Sequence, residues 1–239
     1  DPAQILKTSE TLERRVRERF PDRGLAQVAR EVTALARGIR DEVAILARPI
    51  WWLRGLVVAL VLVGAAVFLW VGSILPLRDV GQDAIGSVQG IEAAINTALL
   101  AGLGLVALIS LEARVKRRRV ARGLHGLRSV IHVIDMHQLT KDPVTLSPDF
   151  TPTETSPVRD LDAVAMSRYL DYCSELLAIT GKLAALYSQA VPDEGVARAV
   201  TDIELLGASL ARKIWQKISL IDPGPAHKRS RAVATRPSD

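Results

Sequence analysis

WWLRGLVVALVLVGAAVFLWVGSIL, residues 51–75, carries a single charged side chain, Arg54. An apolar run of this length is what a bilayer-spanning helix of about 20 residues requires. Trp51 and Trp52 stand at one end and Trp70 near the other. At 1.5 Å of rise per residue they lie roughly 29 Å apart, the depth of a hydrocarbon core with an aromatic residue at each interface. A second run, IEAAINTALLAGLGLVALISL at 91–111, is also long enough to span, although Glu92 and Asn96 sit in its first half. The loop between them, residues 76–90, is short, so the sequence predicts a transmembrane hairpin over 49–111.

Charge placement predicts its orientation. The loop offers only Arg78 against Asp79 and Asp83, whereas seven Lys or Arg fall between Arg114 and Arg128. The excess of basic residues beside the second span places both termini in the cytoplasm. Arg outnumbers Lys throughout, which we read as the mark of a GC-rich bacterial genome, so the expected location is a bacterial inner (cytoplasmic) membrane. The charged opening DPAQILKTSETLERRVRERF lacks the apolar core of a secretion signal. A lone cysteine, Cys173, excludes an intramolecular disulfide framework. The basic run Arg114, Lys116, Arg117, Arg118, Arg119 and Arg122 is expected to meet anionic lipid headgroups, not nucleic acid.

The remaining segments read as helices that pack on one another. Residues 1–48 form an N-terminal arm in which Leu25, Val28, Val32, Leu35, Ile39, Val43 and Leu46 recur at helical spacing. Residues 112–143 form a basic juxtamembrane helix whose seam is Val120, Leu124, Leu127, Ile131 and Ile134. Gly123 and Gly126 interrupt that helix, marking either a close helix contact or a hinge. After a Pro-rich connector at 144–158, residues 159–221 predict an antiparallel helical hairpin turning at PDEG, 192–195. The first of its helices presents Met166, Tyr169, Leu170, Cys173, Leu176, Leu177, Leu183 and Tyr187 to the core. The second presents Val196, Val200, Ile203, Leu210, Ile214 and Ile218. The tail, 222–239, is basic and expected to be disordered.

Signatures of catalysis are scarce. The chain has no GxxxxGK loop, no GxSxG elbow and no HExxH. Gln89, Glu92 and Asn96 make a polar i, i+3, i+7 stripe in the second span, the candidate lining of a pore if several copies surround an axis. Ala94, Ala98 and Gly102 line up as small residues suited to close helix contact. Arg128, His132, Asp135 and His137 cluster where the seam helix ends. On one helix His132 and His137 lie roughly 140° apart, so they cannot aim at one ion, and the remaining pair falls short of a closed zinc site. Cys173, on a core stripe, reads as a structural thiol.

The expectation is therefore an all-α membrane protein, a two-helix hairpin joined to a cytoplasmic helical bundle or coiled coil. Its expected role is a non-enzymatic anchor or assembly scaffold, without cofactor or metal, self-associating and recruiting a cytoplasmic protein. The alternative is a homo-oligomeric ion channel lined by the second span.

Overall fold

The computed structural model describes residues 1–74, 84–156 and 161–221. Its regular elements are helices, with no strand among the described residues. They are α1 (Pro2–Arg19), α2 (Gly24–Leu46), α3 (Trp51–Ile74), α4 (Ala84–Leu139), α5 (Ala163–Ala190) and α6 (Glu194–Ile221), with a 3-10 turn at Pro143–Leu146. The chain divides into two compact units, residues 48–119 and residues 1–47 with 120–239.

The second of these is a helical bundle with a single core. Val120, Leu127, Ile131 and Ile134 of α4 are completely buried, in one cluster with Leu25 and Val32 of α2, Leu170 and Leu177 of α5 and Ile203 and Ile214 of α6. The arm, the seam and the C-terminal hairpin, separate in sequence, thus share one hydrophobic interior. Each helix starts and stops for local reasons. The Asp162 carboxylate caps α5 by accepting from the Ala165 N–H at 2.7 Å, and Asp193 does the same for α6 through Val196 N–H at 3.1 Å. Pro192, which follows α5, cannot extend it.

α5 is buried more widely than its predicted stripe. Tyr172, Ile179, Thr180, Ala184 and Leu186 join the eight expected positions, because α5 packs against α1, α2 and α6. Between α1 and α2 a buried polar pair forms, Ser9 Oγ to Thr33 Oγ1 at 2.9 Å, with Thr33 also bonded to the Ala29 carbonyl. With both hydroxyls satisfied, their burial costs little.

Two boundaries differ from the sequence reading. α4 already begins at Ala84, inside the stretch expected to be loop, while residues 75–83 lie outside the described part. It ends at Leu139, short of the expected 143. Asp142 caps the 3-10 turn that follows, accepting from Val144 N–H at 3.0 Å, and Pro143 opens that turn. Gly123 and Gly126 do not break α4.

The other unit holds α3 and the part of α4 up to Arg119. Two helices here are long and apolar enough to cross a membrane by length and composition, and their most apolar windows are 6% and 0% buried. Trp51, Trp52, Leu62 and Trp70 of α3 are exposed, as are Leu100, Leu103 and Val106 of α4. A helix in the core of a soluble protein would be buried at such positions.

Candidate functional site

Two polar constellations stand out, one at the start of α3 and one at the end of α4. The first is built on Glu112, directly after the second apolar run. Its Oε1 accepts from the Ile50 backbone N–H at 3.3 Å and lies 3.1 Å from Lys116 Nζ. Its Oε2 accepts from Arg54 Nε at 3.1 Å. Lys116 Nζ also donates to the Arg48 carbonyl at 3.0 Å. Ile50 immediately precedes α3, so its N–H is one of the unpaired donors at that helix's N-terminus. A carboxylate from α4 therefore caps α3, where the helix dipole favours negative charge. Burial pushes the Glu112 carboxyl up, but hydrogen bonds from Lys116, Arg54 and Ile50 outweigh it and hold the group below the usual carboxylate range. Arg54, the one charge in the first apolar run, is thus neutralised by the residue that directly follows the second.

The second constellation surrounds the last turn of α4. Of the four residues predicted there, Arg128 and His132 are exposed, and Asp135 accepts from Gln138 Nε2 at 2.7 Å and not from His132. Gln138, the donor of that bond, is almost fully buried one turn further along. His137 alone reaches other helices. Its Nδ1 lies 3.4 Å from the Tyr169 hydroxyl of α5, and its ring presses on Gly24, where any Cβ would overlap Cε1. Lys217 of α6 caps this end of α4, donating to the Gln138 carbonyl at 2.9 Å and to the Lys141 carbonyl at 3.3 Å. Burial pushes the Lys217 ammonium down, opposed by Asp142 and Asp135. Nothing in the spacing of the sequence singled out Gln138 or Lys217, although a lysine on a core-facing helix edge is a usable signal.

His137 should make the bundle acid-sensitive. Burial, and then the Lys141 ammonium, push its imidazole below the ordinary value of 6.5, with Glu31 partly opposing. Because the unfolded chain then binds the proton more readily, stability falls as pH drops through that ordinary value and levels off below the folded one. His137→Gln is expected to flatten this slope in thermal unfolding between pH 7 and 5; an unchanged slope would show that the acid sensitivity arises elsewhere.

Glu92 and Asn96 are exposed on α4, while the side chain of Gln89 lies outside the described residues. Cys173 is fully buried, and burial pushes its thiol up to about 12, which keeps it from acting as a nucleophile near neutral pH. No group of three or more metal-ligating side chains occurs among the described residues.

The fold and its sites define a class: an all-α chain that joins a conventionally packed helical bundle to two exposed helices of membrane-spanning length and composition. No protein-family model matches this chain, and neither does a curated protein or a solved structure.

Proposed function

We propose that this chain is a two-pass integral membrane protein that acts as a non-enzymatic anchor or oligomeric assembly scaffold, holding its helical bundle at the cytoplasmic face of a bacterial inner membrane. The observation that carries this reading is the contrast between the two units. The bundle buries its apolar stripes in a core of its own, whereas most described apolar side chains of α3, and those of α4 between Ile95 and Val106, are exposed. Exposed apolar area on this scale needs a lipid or protein covering. The basic excess between Arg114 and Arg128 supports the cytoplasmic placement of both termini. The bundle's exposed faces would serve self-association and recruitment of a cytoplasmic protein.

Alkaline carbonate washing of cell membranes tests the first step: the chain should stay in the pellet, and its release into the wash would reject the bilayer reading. Co-purification under mild detergent tests the second. A scaffold should retain the same partner, or the same number of its own copies, in a Glu92→Ala variant.

Exposure of Glu92 and Asn96 on α4 keeps a second reading, an oligomeric ion channel. An ionisable side chain on a membrane-length helix is costly unless it faces water or a partner. Ion flux from liposomes that changes in Glu92→Ala would establish this reading over the scaffold; liposomes silent across voltage and tension would remove it.

A further inference from the structure

The basic run that follows the second apolar stretch looks uniform in sequence, yet the structure divides it. Lys116 is consumed: it is paired with Glu112 and bonded to the Arg48 carbonyl, and its side chain is only 17% exposed. Arg54, the other cation at this level, is also paired with Glu112. Arg114 and Arg118 are different. Both are exposed, and neither closes an ion pair with a described residue. At 100° per residue they lie roughly 120–160° around α4 from Glu112, on its opposite side, and one turn apart, which puts their Cβ atoms about 6 Å from each other. Trp51 and Trp52, at the start of α3, are 75% and 72% exposed in the same unit.

We infer that Arg114 and Arg118 form a binding site for the phosphate of an anionic phospholipid headgroup, with the Glu112 clamp withdrawing Lys116 and Arg54 from that task. The inference rests on the bilayer reading above and names a lipid partner for it. Two guanidinium forks one turn apart can each offer paired N–H donors to the oxygens of one phosphate, a geometry that an ammonium lacks. Tryptophans at the same end of the apolar run suit the headgroup level, where an aromatic ring meets both water and acyl chains. Glu112 sharpens the site. Without it Arg54 and Lys116 would compete for the same anion; with it Arg114 and Arg118, on the side of α4 away from Glu112, stay available to the phosphate.

The test uses the full chain carrying Trp215→Phe, reconstituted in vesicles whose phosphatidylcholine or phosphatidylglycerol bears bromine on the acyl chains near the headgroup. Quenching of the remaining tryptophans reports which lipid is adjacent. The expected result is stronger quenching by the brominated phosphatidylglycerol, and a preference roughly thirty-fold lower in the double variant Arg114→Gln/Arg118→Gln, since each juxtamembrane arginine contributes about five- to six-fold. Arg114→Lys/Arg118→Lys should keep part of the preference, and Arg212→Gln, which removes an exposed charge of the bundle, should keep all of it. Equal quenching by both lipids, or equal loss in Arg212→Gln, would overturn the inference while leaving the bilayer reading intact. Absence of quenching by either lipid would overturn both. If inorganic phosphate at matched ionic strength abolishes the preference, the site takes a free anion and the lipid assignment fails.

Discussion

Gly123→Ala should destabilise the helical bundle by about 2–3 kcal/mol, the cost of forcing an extra methyl group into a closed core. A Cβ at this position would overlap the hydroxyl and ring of Tyr187. That ring is fully buried on α5, and its hydroxyl donates to Glu42 Oε2 of α2 at 2.6 Å, so it cannot swing aside without breaking a charge-assisted hydrogen bond. Burial, and then the bond to Glu42, push the phenol far above its usual range, so it remains a donor at any working pH. Gly123 thus lets three helices meet at one point: α4 supplies the gap, α5 the ring and α2 the acceptor. Gly126 is the built-in comparison. A Cβ there would meet only Leu35 Cδ2 at 3.7 Å, an ordinary contact. Gly126→Ala should therefore gain roughly 1 kcal/mol from helix propensity. Tyr187→Phe alone should cost about 1.5 kcal/mol through the lost bond to a charged partner. Combined with Gly123→Ala it should cost less than the sum, because removing the hydroxyl relieves the overlap. Thermal unfolding of the four variants in lipid nanodiscs checks the set, and an unperturbed Gly123→Ala would reject the close contact.

Glu112→Gln is expected to cost about 2 kcal/mol, less than the 3–5 kcal/mol of breaking a fully buried pair, because the Arg54 side chain is 57% exposed. Two effects combine. Arg54 loses its counter-ion at the edge of an apolar run, and the α3 N-terminus loses its anionic cap. The readout that separates this from general loosening is hydrogen exchange at the Ile50 amide, which should lose protection in Glu112→Gln while the amides of α5 and α6 keep theirs. The pH dependence follows from the depressed carboxyl. Its contribution is complete above the ordinary carboxylate value of 4.5 and is lost as pH falls through the lower folded value. This lies below the window in which His137 acts, so titrating each variant distinguishes the two. Protection of Ile50 that is unchanged in Glu112→Gln would show that the cap is dispensable.

The apolar stripes proved to be the most legible part of the chain. All five predicted seam positions of α4, and all eight of α5, are buried. Of the six predicted for α6, Val196, Val200, Ile203, Leu210 and Ile214 are buried and Ile218 is partly so. Periodicity is a local property, repeating every three or four residues, and it survives whatever the helix packs against. The polar cluster at the end of α4 was legible only as a cluster. Spacing along one helix gave the angle between His132 and His137, but which of them meets another helix depends on where α2 and α5 lie. His137 faces both, and His132 faces neither.

Sequence alone determined the helical class, the core faces of α2, of the seam in α4, of α5 and of α6, and the two runs long and apolar enough to cross a membrane. Tertiary structure decided which charges are used and which are left over. Lys116 and Arg118 are two residues apart in one basic run, yet only Lys116 is neutralised, because Glu112 on its own face of α4 also reaches Arg54, 58 positions earlier. Tyr187 finds Glu42 across 145 positions, and Gly123 is indispensable only because that pair crosses beside it. Such pairs arise from the angles and separations at which helices pack, and a pattern that repeats every turn encodes a helix's face without encoding the residue that will stand opposite it.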